Sequence, residues 1–137
     1  MKESISNSVN LVDLVTPVSF DLQSLVDSHE QPFIVIDRDY RIPAINSAYE
    51  KTFGMHRDKA IGLPCYKVSH NNDAPCHEYG EDCPHDNMFE IGKTDSCLHV
   101  HFDSDHRMCQ VRVTAFPLPS NNGELYMGEL IQRLSGP

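Results

Sequence analysis

Hydrophobic and polar positions alternate with two different periods along this chain, and the switch between them predicts its elements. Residues 1–18 are Ser/Asn-rich, with Val9, Leu11, Val12, Leu14 and Val15 at mixed helical spacing before Pro17, which reads as a tail or a short helix. From Asp21, "DLQSLVDS" puts Leu22, Leu25 and Val26 on one helical face. "PFIVID" is then a β-branched run, "RDY" is turn-like and "RIPAIN" is a second short strand, so an antiparallel hairpin is predicted. Ser47 is placed to cap a helix through "SAYEKTFG", with Tyr49 and Phe53 four apart and Gly54 at the stop. "HRDKAIGL" repeats that logic in a shorter helix ending at Gly62.

The second half begins with a helix in "CPHDNMFEIGK", where Pro84 suits a first turn and Gly92 ends the segment. Period-two runs follow: "DSCLHVHF", a polar turn "DSDH", then "RMCQVRVTAFPL". The turn "SNNG" leads into "ELYMGELIQRL", with Asn-Gly a strong hairpin signal. In the middle strand Cys109, Val111, Val113 and Ala115 share one face and Gln110, Arg112 and Thr114 the other. Ile34, Ile36, Phe53, Met88, Val111 and Val113 are expected in the core. The order is two strands, several short helices, then three strands. It predicts an α+β domain, a five-stranded antiparallel sheet with short helices packed on one face.

Length and charge narrow the function. A chain of 137 residues suits one domain. A net charge of −9 repels phosphate backbones, and no Lys/Arg cluster offsets it, so direct nucleic-acid binding is not expected. No apolar run approaches the roughly 20 residues of a membrane span, and "MKESISNSVNLVDLV" lacks the parts of a signal peptide. A cytoplasmic location is expected, where thiols stay reduced, and an odd count of five cysteines fits no complete disulfide framework.

Candidate chemistry concentrates in "CYKVSHNNDAPCHEYGEDCPH", residues 65–85. Ten residues separate Cys65 from Cys76 and six separate Cys76 from Cys83, unlike the tight pairs of zinc ribbons. Three readings stay open: Cys65, Cys76 and Cys83 with His70 or a strand histidine around one soft metal, buried free thiols, or a Cys76–Cys83 disulfide. Mixed thiolate–imidazole ligation suits zinc or iron, and thiolate-rich ligation suits zinc or an iron–sulfur cluster. Cys83 opens the 83–91 helix, whose dipole favours thiolate. Cys97, His99 and His101 alternate onto one strand face. His99 and His101 there can share a metal, bind an anion, or stand on an exposed face. His77 and His85, adjacent to cysteines, are expected to face solvent. No phosphate loop, serine elbow or oriented Cys/His pair is present, so no catalytic residue is assigned.

"PFIVIDRDYRIPAINSAYEKTFG", "AIGLPCYKVSH" and the ending "VTAFPLPSNNGELYMGELIQ" together resemble the PAS domain, a sensory module of bacterial signalling proteins. The likeness extends over roughly residues 20–133. A subset with a cysteine-bearing middle is similar at Cys65-Tyr66, His70, Pro75-Cys76, Cys83-Pro84 and "HVH" at 99–101. The resemblance implies residues 1–18 as a tail or dimerisation helix, 19–134 as the sensor and 135–137 as a lead toward an output domain. It further implies a homodimer, and an attached histidine kinase, cyclic-dinucleotide synthase or transcription activator as output. In such a fold the helical side of the sheet can enclose a ligand cavity with room for a small cofactor, which these residues do not identify. The alternative is a PAS interaction module without a cofactor.

Overall fold

"PFIVID" and "RIPAIN" do pair: β1 (Phe33–Ile36) and β2 (Ala44–Ile45) run antiparallel with Ile34 opposite Ile45. The computed structural model describes residues 21–70, 72–75, 78, 83–120 and 123–134. The β1–β2 turn closes through Asp37, whose Oδ1 accepts from the Asp39 and Arg41 amides at 2.8 and 2.9 Å. Tyr40 takes a left-handed φ of 66° there.

Three long strands complete the sheet: β3 (Asp95–Phe102), β4 (Met108–Pro119) and β5 (Leu125–Arg133). The strand order is β2-β1-β5-β4-β3, and every pairing is antiparallel. β5 therefore slots between β1 and β4, and β3 forms an edge. The period-two pattern of β4 is realised, with Cys109, Val111, Val113 and Ala115 buried and Met108, Gln110 and Arg112 exposed. The buried set packs with Ile34, Ile36, Met88, Met127 and Ile131 into the main core, and Phe53 packs against it. Each fully buried aliphatic side chain contributes about 1.5–3 kcal/mol, so this layer dominates the stabilisation.

Four short helices cover that face. They are α2 (Ser47–Phe53), α3 (Arg57–Ala60), α4 (Cys65–His70) and α5 (Pro84–Ile91), while α1 (Leu22–Asp27) lies against the reverse face through Val26, Phe33, Val35 and Ala44. The cap of α2 is Asn46 rather than Ser47, which is the first helical residue; Asn46 Oδ1 accepts from the Tyr49 amide. Gly54 ends α2 at φ 69°, and a Cβ there would stand 2.8 Å from the Ser104 Cα, so close approach of the β3–β4 turn also demands glycine. The segment "CYKVSH", to which the hydrophobic pattern assigns no element, is helical. The Pro64 carbonyl accepts from the Lys67 and Val68 amides and so opens α4. Cys83 is the N-cap of α5, with Pro84 in the first turn and Gly92 at the stop, as the sequence predicts. Residues 1–18, Cys76, His77 and 135–137 lie outside the described residues.

Candidate functional site

The inward face of edge strand β3 meets α4. His99 and His101 are buried, 5% and 2% exposed, and are not on an open strand face. His70, the last residue of α4, swings over them and is 9% exposed. Ring centroids lie 5.1 Å apart for His70–His99, 4.7 Å for His70–His101 and 6.0 Å for His99–His101. Among the described residues these three form a group whose ligand atoms all lie within 4.8 Å of one another. A tetrahedral ion with metal–nitrogen bonds of 2.0–2.1 Å spaces its donors about 3.3 Å apart, so a small contraction would close the group.

The hydrogen bonds of the rings set their chemistry. His70 Nδ1 lies 3.1 Å from the Val100 carbonyl oxygen, which can only accept, so Nδ1 carries the proton and Nε2 keeps its lone pair. His101 Nδ1 is buried without a hydrogen-bond partner, and the Phe53 ring closes the site edge-on to His101 at 5.6 Å. Burial pushes His70 down to about 4, aided by the neighbouring His99 charge and opposed by the Val100 carbonyl. Burial, with His70 and His99, also holds His101 well below the ordinary histidine value. Both rings are thus neutral at neutral pH, the form that ligates a metal.

The same cavity continues between α4, α5 and β5, where Cys65, Cys83, Ser69 and Glu129 line it. Its volume of about 20 Å³ fits one water molecule or one ion. Among the described residues no disulfide joins Cys65 or Cys83. Burial, then the charges of Glu129 and Cys83, pushes the Cys65 thiol well above its usual value, so it is held protonated. Glu129 is 6% exposed, and burial, then the Cys83 charge, pushes its carboxyl up to about 8. Sequence reasoning missed Glu129, although Met127, Glu129 and Ile131 alternate into the core in "LYMGELIQR". That inward register was the available signal.

Of the expected metal donors, His70, His99 and His101 converge, Cys65 and Cys83 line the same cavity, and Cys76 lies outside the described residues. The expected solvent exposure of His85 is wrong: the residue is 5% exposed. The first turn of α5 aims it at the β1–β2 turn, where Nε2 donates to the Asp37 carbonyl at 2.7 Å and the ring stacks on Tyr40 at 3.9 Å. The Tyr40 hydroxyl donates to Asp86, tying the same turn to α5.

With this sheet order and helical cavity in view, the comparisons with known proteins agree. The family described as "PAS fold" matches residues 26–132, most of the chain, and the chain belongs to that family. The PAS domain of a two-component sensor histidine kinase is 7% identical, with a TM-score of 0.63, covering 81% of this chain and 91% of that one. A PAS domain from Desulfitobacterium hafniense is 13% identical, with a TM-score of 0.65, covering 82% of this chain and all of its own 100%. The Rhodobacter sphaeroides LOV protein is 8% identical with a TM-score of 0.65, covering 83% of this chain and 66% of that one. At such identities the likeness is one of fold. No curated protein matches the chain in sequence. Membership of this family supports a signal-sensing role. Among the described residues no helix is long and apolar enough to cross a membrane.

Proposed function

We propose that the chain is a cytoplasmic sensor module whose sensing site is the α4–α5–β3 cavity, filled by a small ligand with a metal ion as the leading candidate. The observation that carries this reading is the buried polar lining, above all the unpartnered Nδ1 of His101 beside two further imidazoles. The donors to weigh are Cys65, His70, Cys76, Cys83, His99 and His101. A mononuclear zinc or iron ion fits a cavity of about 20 Å³ better than an iron–sulfur cluster does. Occupancy would draw α4 onto β3. Movement of α5 would then reach the β1–β2 turn through His85–Asp37 and Tyr40–Asp86. An attached output domain (histidine kinase, cyclic-dinucleotide synthase or transcription activator) would read the shift, provided the ligand binds the two arrangements unequally.

The test compares the anaerobically purified chain with Ser69→Thr, whose added methyl group matches a cavity of about 20 Å³ and whose hydroxyl keeps the bond to Tyr49, by native mass spectrometry and amide hydrogen exchange. The parent is expected to retain a bound species that slows exchange in α4, and the variant to lose both effects. Equal retention and equal exchange in the filled variant would place the sensing site elsewhere.

A second reading, a PAS interaction module that pairs with itself, is favoured by one surface. Leu98 and Met108 stand outward on β3 and β4 at 59% and 68% exposure, with Val100 beside them. An apolar strip on a sheet face suits cover by a second copy. Leu98→Asp with Met108→Asp is expected to convert a dimer into a monomer in sedimentation velocity. An unchanged mass removes this face from the interface.

A further inference from the structure

Resting on the cavity as the sensing site, we propose that it is a three-imidazole centre for one borderline divalent ion, of the zinc, cobalt, nickel or ferrous class. The donors are His70 Nε2 and one ring nitrogen each of His99 and His101, with the thiols of Cys65 and Cys83 outside its coordination sphere.

Four observations lead to this donor set. The three rings already converge, so only small side-chain rotations are needed to reach bonding distance. His70 is oriented from behind, since its Nδ1–H donates to the Val100 carbonyl and its Nε2 lone pair is left for a ligand; carbonyl-backed histidines are the common support of metal sites. His101 Nδ1 is buried beyond the reach of any hydrogen-bond partner. A buried polar nitrogen of this kind calls for an explanation, and an ion in the cavity supplies one. Finally, the cavity of about 20 Å³ takes an ion but not an organic cofactor.

Ligand chemistry then selects the ion. Neutral imidazoles suit zinc, nickel, copper and iron, whereas magnesium and calcium require oxygen donors, and among the described residues no carboxylate joins the three-imidazole group. All three donors come from only two elements, the end of α4 and the edge strand β3. The ion is therefore a clasp between a six-residue helix and the sheet, and its arrival or loss is itself a conformational signal.

The test is an anaerobic titration of the metal-stripped full chain with Co²⁺, followed by displacement with Zn²⁺. One cobalt per chain is expected, with visible ligand-field bands and no thiolate charge-transfer absorption. Cys65→Ser with Cys83→Ser is expected to leave stoichiometry and spectrum unchanged. His70→Gln is expected to weaken binding by more than about 100-fold, beyond the loss that follows removal of an outer-shell partner. Because a buried histidine variant can misfold, zinc-induced shifts of imidazole ¹⁵N resonances in the parent chain provide an independent readout. Large, coordination-type shifts are expected at His70, His99 and His101, and only small ones at His85, which lines the cavity but is bonded to the Asp37 carbonyl. Thiolate charge transfer, or loss of binding in the double cysteine variant, overturns the donor set while leaving the cavity as the sensing site. Absence of any bound ion overturns the inference, and the Ser69→Thr comparison then decides separately whether the sensing reading survives.

Discussion

Asn46→Ala should lower the stability of the folded chain by roughly 3–5 kcal/mol, read by urea denaturation, because one side chain serves five backbone groups. Asn46 is 1% exposed. Its Oδ1 accepts from the amides of Phe33 and Tyr49, both at 3.0 Å. Its Nδ2 lies 3.1, 3.1 and 2.7 Å from the carbonyls of Val26, His29 and Gln31. The residue thus joins the end of α1, the start of β1 and the first turn of α2. Alanine strands the Phe33 and Tyr49 amides and the Val26 carbonyl in the interior, where each unsatisfied group costs about 1–3 kcal/mol before relaxation, and also removes the half-buried bonds to the His29 and Gln31 carbonyls. Asn46→Asp separates the two roles. A carboxylate keeps both accepting contacts but presents negative charge to three carbonyls, so this variant should be at least as unstable as alanine at neutral pH. It should recover partly in acid, once protonation restores a donor. A loss below about 1 kcal/mol for alanine, the scale of an ordinary helix cap, would mean the hub is dispensable.

That hub also marks how far local pattern reaches. Alternation in "RMCQVRVTAFPL" identified the buried face of β4 because burial on one side of a strand repeats every second residue. The same alternation paired Cys97 with His99 and His101, but could not say that helices cover that side rather than Leu98 and Val100. The choice of face is settled by packing between elements far apart in sequence. His70 and the Val100 carbonyl it bonds are separated by 30 positions. α4 escaped notice because "CYKVSH" has no apolar repeat and its cysteine and histidine suggested loop chemistry. The capping role passed from Ser47 to Asn46 because only Asn46, buried between α1 and β1, can serve donors and acceptors on three elements at once. The expectation for His85 failed similarly: residue spacing gave its place on α5, while the β1–β2 turn that receives it lies 48 positions away.

Glu129→Gln should flatten the pH dependence of stability in the metal-free chain. Burial holds the Glu129 carboxyl at about 8, far above its usual 4.5, with the Cys83 charge adding to the rise. Between those two values the folded chain keeps a proton that the unfolded chain has released. The stabilisation is fully present below pH 4.5 and is lost as pH rises through about 8. At roughly 1.4 kcal/mol per unit, the loss accumulated by pH 8 is on the order of a few kcal/mol. Glutamine has nearly the same volume and never ionises, so parent and variant should agree near pH 4.5 and separate steadily above it, with the variant the more stable by pH 8. Urea midpoints taken across this range in the presence of chelator make the measurement, and two parallel profiles would rule the assignment out. The chelator matters because a divalent ion in the same cavity would stabilise the carboxylate and release its proton. Zinc addition near pH 7 should therefore liberate more protons from the parent than from Glu129→Gln, linking the uncharged end of the cavity to the imidazole end.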